Sequence, residues 1–232
     1  MDISKTCADC SVRNRSLCGT LDDGELQALS RIGHRRHFTR GATILWSGEP
    51  ATQCGNLLSG ALKMTASTAD GREQTVSTLY PADFVGRPYA EDSRFTVTAT
   101  ADSELCMFAR APFEHLLERH AKMERQLLDQ AFTALDESRA QMLTLARRSA
   151  AEKVAGFLLD MADRAEVTRI SPTGPATFDL PINRGQIADL LGLTIETVSR
   201  QLTKLKLAGI IALPGIRTIT IRDEASLRTR AG

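Results

Sequence analysis

The sequence predicts an α+β protein: an N-terminal antiparallel β-roll, or jelly roll, then a long helix and a C-terminal winged helix-turn-helix. Three patterns in the 232-residue chain support this prediction. Short alternating runs broken by glycine lie between about Phe38 and Phe108, and an apolar heptad follows Pro112. Two capped helices joined by a tight turn then occupy the stretch from Asn183 to about Lys206.

The first half of the chain carries the strand signals. Its short apolar runs are separated by turn signals at Arg40-Gly41, Ser47-Gly48, Ser59-Gly60 and Asp70-Gly71. Short strands at such spacing are typical of an antiparallel sandwich or jelly roll. Before them, a short helix is predicted from the apolar stripe Leu21, Leu26, Leu29 and Ile32.

Composition limits the classes of function. The chain is 42% hydrophobic and 25% charged, with a net charge of +1, so it can bury a core but has no polybasic coat for nucleic acid. The first twenty residues hold no apolar signal-peptide core, and no run approaches the roughly 18 apolar residues of a membrane span. We therefore expect a soluble cytoplasmic protein without a membrane partner. We expect no enzyme, because no nucleophile–base set, P-loop or dinucleotide fingerprint is present.

The helical region that Pro112 opens contains a heptad pattern. Its apolar and small residues follow alternating steps of three and four: Leu128, Ala131, Leu135, Ser138, Met142 and Leu145. We call these the seam residues, and they predict a helix that pairs with a second copy. A helix lying on its own domain is the alternative, but helix-turn-helix proteins usually bind DNA as two-fold dimers. A further helix, about Ala150 to Ala165, is predicted as core of the C-terminal domain.

The helix-turn-helix is predicted from its ends. Asn183 and Gln186 have the spacing of a capping box, Gly192 suits the end of the first helix, and Thr194 can cap the second. The loop from Ser171 to Pro175 leads into this motif. After it, a hairpin over Pro214-Gly215 with Ile219 and Ile221 on one face would form a β wing.

The second helix has a polar side suited to reading DNA. At about 100° per residue, Glu196, Ser199 and Arg200 share one side, opposite the apolar residues. Arg200 can donate two hydrogen bonds to guanine, and Glu196 can accept one from cytosine. The candidate DNA-binding residues are Arg184, Glu196, Thr197, Ser199, Arg200 and Lys204. From Asn183 to Arg217, five basic and two acidic residues leave a local surplus of +3. A solvated helical hairpin is the less favoured alternative.

Five cysteines form an unusual distribution. Cys7, Cys10 and Cys18 lie within twelve residues, and an odd total without a secretion signal argues against a disulfide scaffold. Three thiolates leave one ligand missing for zinc or an iron–sulfur cluster, and Cys106, predicted to end the last strand, is the best fourth candidate. Cys54 is predicted to be a buried apolar residue. The spacing leaves zinc, iron–sulfur and unligated thiols open.

The whole chain resembles the CRP/FNR superfamily of bacterial transcription regulators, in its FNR branch. The resemblance rests on GLTIETVSRQL, SGALK with YPADFVG, and the cysteines. It implies a cluster segment (1–20), a β-roll sensor domain (21–116), a dimerisation helix (117–147) and a winged helix-turn-helix (148–232). It also implies that Cys7, Cys10, Cys18 and Cys106 hold an oxygen-labile [4Fe-4S] cluster, although the gap between Cys10 and Cys18 is longer than in the best-known members.

Further implications concern partners. A homodimer would read TTGAT-like inverted repeats in double-stranded DNA through Glu196, Ser199 and Arg200 at low oxygen, and would contact RNA polymerase. In the CRP branch a glutamate and an arginine bind cyclic AMP. Here Arg87 stands in place of the glutamate and Phe95 near the place of the arginine, with Arg94 adjacent, so no cyclic-nucleotide binding is expected. Alternatives are a regulator with a structural zinc or thiol switch, and a small-molecule-responsive CRP-like protein.

Overall fold

The computed structural model describes residues 7, 9–68, 70–165 and 175–232. The chain forms two compact units that divide between Glu137 and Ser138, within the long helix predicted from the heptad. Of the loop predicted at Ser171 to Pro175, only Pro175 lies within the described residues.

The first unit is a β-roll flanked by helices. Two short 3-10 helices (Arg13–Arg15 and Leu17–Thr20) and helix α1 (Asp23–Ile32) precede the strands. The strands are β1 (Gly33–Phe38), β2 (Thr43–Leu45), β3 (Gln53–Ser59), β4 (Leu62–Ser67), β5 (Glu73–Leu79), β6 (Phe84–Val85), β7 (Thr96–Ala99) and β8 (Ser103–Ala109). They form two antiparallel four-stranded sheets, ordered β1-β8-β3-β6 and β2-β7-β4-β5. The strands thus begin before Phe38, at Gly33.

Strand β8 separates two parts of the core. Because successive side chains in a strand point to opposite faces, Leu105 and Met107 lie on one side of it and Cys106 and Phe108 on the other. Leu105 and Met107 belong to the core that also holds residues of β4 and β7. Phe108 joins a second core beneath the helices, where its ring stacks 5.2 Å from that of Phe113.

Helix α1 starts later than predicted. Asp22 caps it in a reciprocal capping box with Glu25, so Leu21 lies outside the helix. Leu21 and Leu26 nevertheless share one buried cluster, as an apolar pair flanking a helix start commonly does.

The helical region after β8 is not continuous. Helix α2 (Arg110–Arg119) begins two residues before Pro112, which lies in the first turn, where a missing N–H does no harm. His120 leaves the helical conformation, with φ −127° and ψ 81°, and helix α3 (Ala121–Arg147) follows. The long heptad helix is therefore confirmed, but as the second of two helices.

The second unit is a winged helix-turn-helix, as predicted. Its elements are helix α4 (Ala150–Ala165), strand β9 (Thr177–Asp179), helices α5 (Arg184–Leu191) and α6 (Ile195–Leu207), strands β10 (Ile211–Ala212) and β11 (Thr218–Ile221), and helix α7 (Glu224–Ala231). Strands β10 and β11 form the expected hairpin, to which β9 adds a third strand. Neither β9 nor α7 was predicted. Among the described residues, none of the helices has the length and apolar character needed to cross a bilayer.

Candidate functional site

Four of the five cysteines line one cavity in the first unit. The cavity has a volume of about 240 Å³ and an otherwise largely apolar wall that includes Leu26, Leu29, Leu58 and Phe108. Its thiols are those predicted as ligands: Cys7, Cys10, Cys18 and Cys106. We call it the thiol cavity.

The register of β8 places Cys106 in this cavity. Cys106 lies in the middle of β8 and not at its end, because the strand continues through Met107 and Phe108 to Ala109. It stands opposite Arg35 of β1 and Asn56 of β3. Directly opposed side chains share a face of the sheet, so one row of side chains brings all three residues to the cavity wall.

The N-terminal cysteines are held by short turns and two apolar anchors. The Arg13 backbone N–H donates to the Cys10 carbonyl oxygen over 3.1 Å, and the Cys18 N–H donates to the Ser16 hydroxyl over 3.4 Å. Val12 and Leu17 are buried between the cysteines along the chain. The segment is therefore fixed by packing at its non-cysteine positions, which leaves the sulfur atoms on the cavity wall.

Burial makes ionisation of these thiols unfavourable. It is the main cause that raises the pKa of Cys18 to about 11 and that of Cys106 to about 12. For Cys106 the neighbouring Cys18, Cys7 and Cys10 raise the pKa further, while the positive charge of Arg35 opposes the shift. The pKa of Cys7 is also raised, first by burial and then by Cys10. Thiolates formed here would need a positive partner such as a metal.

Cys54 stands apart from this set, as the sequence predicted. It is buried in the core under the helices, and burial raises its pKa to about 12. The charged groups that act on it are Glu114 and Arg110, and none of the other thiols does.

The thiols surround a space and do not converge on a point. Within the described parts of the chain, no group of three or more histidine, cysteine or carboxylate side chains has the arrangement of a metal-ion site. The sequence prediction of the cavity also missed Asn56 and Arg35. Between the polar ends of β3, Asn56 is the one polar side chain, with Leu57 and Leu58 directly after it, and this signal could have identified it.

The helix-turn-helix has the caps that its sequence predicted. The Asn183 side chain accepts from the Gln186 N–H while Gln186 reaches back to the Asn183 N–H. Gly192 has the left-handed conformation, with φ 60°, and Thr194 caps α6 by accepting from the Thr197 N–H. Lys153, which the sequence analysis missed, is buried and donates to the Leu191 carbonyl oxygen over 3.2 Å, tying α4 to the end of α5.

Most of the candidate DNA-binding residues lie on α6, with their charged members on its exposed side. Glu196, Arg200 and Lys204 are exposed, whereas Val198, Leu202 and Leu205 are buried beneath them. Hydrogen bonds from its own N–H and from Thr194 hold the pKa of Glu196 below its usual range, so it is an ionised acceptor. We call Glu196, Ser199 and Arg200 the reading face.

The remaining candidates support this face. Arg184 Nη1 donates to Ser199 Oγ over 3.3 Å, which places the first residue of α5 against the reading helix. The Thr197 hydroxyl lies 3.1 Å from that of Thr194. A depression beside the start of α5 adds Arg217 from the wing, which the sequence analysis had counted only as local charge. Two guanidinium groups near a helix N-terminus suit phosphate contacts.

All six seam residues of α3 are exposed in the single chain. Phe132, which the heptad pattern omitted, is also exposed, by 56%. Leu145 also lies beside the turn of the helix-turn-helix, because its Cδ2 would be 3.3 Å from a Cβ added at Gly192.

In the β-roll, Arg87, Arg94 and Phe95 are exposed.

A helix-turn-helix with a wing, joined in one chain to a β-roll, defines a DNA-binding regulator with a separate regulatory domain. Comparison with known proteins agrees with this class. Residues 152–230 match the Crp-like helix-turn-helix domain, and residues 35–120 match the cyclic nucleotide-binding domain. The chain belongs to the CRP/FNR superfamily of transcription regulators, which confirms the resemblance.

Two curated relatives cover nearly the whole chain. The transcriptional activator protein FnrL of Cereibacter sphaeroides is 40% identical over 227 residues, covering 97% of this chain and 92% of the relative. The nitrogen fixation regulation protein FixK of Bradyrhizobium diazoefficiens is 38% identical over 207 residues, covering 89% and 86%. Among solved structures, FixK2 from Bradyrhizobium japonicum matches with a TM-score of 0.78 and 29% identity, over 87% of this chain and 98% of that one. These relatives are regulators, and the expectation that the chain is not an enzyme is confirmed.

Proposed function

We propose that this chain is an activator of the FNR/FixK type whose DNA binding is controlled by dioxygen through a [4Fe-4S] cluster. The observation that carries the proposal is that Cys7, Cys10, Cys18 and Cys106 line one cavity while Cys54 does not. The activator names of its relatives, FnrL among them, support the regulatory part.

The thiol cavity fits such a group. Four soft sulfur donors around an apolar space of about 240 Å³ suit a cluster with several irons. A structural zinc instead needs its ligands to converge tetrahedrally on one point, with each sulfur about 2.3 Å from the metal. The soft donor set and the volume of the cavity therefore support a cluster over zinc.

Each part of the cavity has a separate role in this proposal. The four thiolates would bind iron, and the cluster would supply the reactivity toward dioxygen. Leu26, Leu29 and Phe108 exclude water from the site, and Arg35 offsets part of the negative charge that the thiolates bring. Hydrophobic shielding of this kind controls access to a cluster and its potential.

The packing of the first unit connects the cavity to α3. Cys7, Cys18 and Cys106 touch the core cluster that contains the fully buried Met123, and Leu127 packs against the same cluster. Leu127 immediately precedes Leu128, the first seam residue. A repacking of the cavity wall would therefore act on the start of the helix that presents the seam.

The exposed seam would pair with a second copy of this chain. Apolar residues in an a/d pattern on a solvated helix suit a parallel helix pair. The seam contains Ala131 and Ser138, which keep the free energy of pairing low. A change of a few kcal/mol would then switch the chain between monomer and dimer, since about 1.4 kcal/mol changes that equilibrium constant tenfold.

The paired subunits would place two reading faces on a TTGAT-like inverted repeat. Arg200 would read guanine and Glu196 would read cytosine in the major groove, while Lys204 and Arg184 would contact phosphates. Activation further requires a contact with RNA polymerase. Action on chromosomal promoters in turn supports a cytoplasmic location.

The test is purification without oxygen, followed by iron and sulfide analysis and by DNA binding before and after exposure to air. We expect four irons and four sulfides per chain and specific DNA binding that air abolishes. Colourless, iron-free protein that binds DNA equally well in both states would overturn the redox proposal. Stoichiometric zinc, or a DNA affinity restored by a thiol reductant alone, would instead support the zinc or thiol-switch alternative.

A second candidate follows from the match to the cyclic nucleotide-binding domain. A CRP-like regulator could answer to a small molecule in the β-roll. The exposed Arg87 stands where a ribose-binding carboxylate would be needed, so we propose that cyclic AMP does not bind. Calorimetry with cyclic AMP tests this, and saturable heat would favour the second candidate.

A further inference from the structure

Asn56 is a buried polar side chain at the thiol cavity with half of its amide unused. The residue is 1% exposed and lines the cavity from β3, opposite Cys106. Its Nδ2 lies 3.8 Å from Cys18 Sγ, within the range of a hydrogen bond to sulfur. Among the described residues, Asn56 Oδ1 is one of three buried side-chain oxygen or nitrogen atoms without a hydrogen-bond partner.

This arrangement is unfavourable for stability. A buried acceptor without a partner loses its hydration and gains nothing in return. An apolar residue of similar size would fit the neighbouring wall of leucine and phenylalanine better. The amide therefore requires an explanation outside the folding of the chain.

The ionised state of Cys18 explains why an amide is present at this position. A thiolate only accepts hydrogen bonds, and Nδ2 donates in its direction. Hydrogen bonds to cluster sulfurs are among the factors that set the reduction potential of the cluster. Transfer of one electron to dioxygen, which would become superoxide, would take negative charge from the thiolates and so weaken the hydrogen bond that Asn56 Nδ2 donates to Cys18 Sγ.

We propose that Asn56 is a positioning residue that donates a hydrogen bond to the Cys18 thiolate and thereby slows oxidation of the cluster by dioxygen. This rests on the proposed function, since it requires a cluster in the cavity. It adds a residue outside the ligand set that sets how readily the regulator responds to oxygen.

Two variants and one matched control test the proposal in the full-length protein, reconstituted with iron and sulfide without oxygen. Asn56→Leu replaces the amide with an apolar side chain of similar size, and Asn56→Ala is the smaller alternative. Ser30→Ala is the control, because Ser30 lines the same cavity but its hydroxyl donates to the Gln27 carbonyl oxygen over 2.8 Å. The readouts are the midpoint potential, the loss of visible absorbance in air and the melting temperature of the iron-free chain.

Opposite effects on the cluster and on the fold are expected. Both Asn56 variants should have a lower midpoint potential, because they lose a hydrogen bond that stabilises the more negatively charged state of the thiolate. Their absorbance should therefore decay about three- to tenfold faster in air. Iron-free Asn56→Leu should melt at or above the wild-type temperature. Ser30→Ala should match the wild-type potential and rate.

Several outcomes would overturn the inference. Wild-type potential and decay rate in both Asn56 variants would exclude the hydrogen bond, with the proposed function intact. Equally fast decay in Ser30→Ala would indicate general loosening of the cavity, and failure of both Asn56 variants alone to take up iron would make the residue structural. A wild-type chain that takes up no iron or sulfide would instead remove the proposed function itself.

Discussion

The reading helix and the thiol cavity are assembled in different ways. The helix-turn-helix consists of consecutive residues, and its caps and turn form within a few positions of one another. The thiol cavity joins the N-terminal segment to β8, and its fourth thiol is placed by the register of three strands.

This difference affects how each site can fail. A helical reading face tolerates the loss of one side chain, because the others keep their positions on the same helix. A cavity whose four donors come from two distant segments depends on all of them at once. Substitutions of the cavity thiols should therefore abolish regulation, whereas substitutions on the helix should lower affinity by increments.

The largest effect is expected from Cys106→Ser. Serine retains the size of the side chain but is a poor iron ligand, so one of four donors is lost. We expect the anaerobic protein to lose most of its iron and sulfide, together with specific DNA binding. Metal analysis and gel-shift titration under anaerobic conditions measure both.

Cys54→Ala is the matched control. Cys54 is buried, whereas Cys106 is half-buried, and Cys54 does not line the cavity. Its loss should therefore cost about 1 kcal/mol of stability through packing and leave the iron content unchanged. Equal iron loss in the two variants would show that the division of the thiols is wrong.

A smaller but still large effect is expected at the seam. Leu135→Glu places a charge at the centre of the seam residues, where two copies would face each other, and Thr133→Glu places the same charge on the outer side of α3. We expect Leu135→Glu to weaken dimerisation at least about 100-fold, or about 3 kcal/mol, and Thr133→Glu to change little. Analytical ultracentrifugation of the anaerobic protein distinguishes them, and a dimer unaffected by Leu135→Glu would place the interface elsewhere.

Side chains on the reading helix should have graded effects. Arg200→Ala should cost about 1–3 kcal/mol and relax the preference at one base pair. Lys204→Ala should weaken binding to all sequences alike and lessen the salt dependence. Titrations against a set of single-base operator variants separate the two results. If both variants lose the same affinity for every operator sequence, α6 does not read bases.

The sequence predicted these two regions to different depths. The caps at Asn183 and Thr194 and the left-handed Gly192 follow from local chemistry, and the structure confirms all three. The four thiols of the cavity were also identified, but Cys106 was placed at a strand end, because strand length depends on pairing with β1 and β3. The role of Asn56 could not be predicted for the same reason, since only the strand register brings it opposite Cys106.

Helix boundaries that depend on tertiary packing were missed as well. Leu21 continues the apolar pattern of α1 but lies before its cap, and nothing in the periodicity marks the break at His120. Strand β9 is three residues long and forms by pairing with β11, so no local sequence pattern could predict it.

The smallest effect is expected from Asn183→Ala, which removes one half of a capping box outside the reading face. The exposed cap should cost about 1 kcal/mol of unfolding free energy, because the Gln186 N–H loses its acceptor. Urea denaturation measures this cost. Thr203→Ala, at an exposed position inside α6, is the control and should be neutral or slightly stabilising, because alanine favours a helix interior. Operator preference should be unchanged in Asn183→Ala, since the reading face is on α6 and Asn183 lies outside that helix. An altered base preference in Asn183→Ala would mean that Arg184, held against Ser199 from the first turn of α5, takes part in reading the operator.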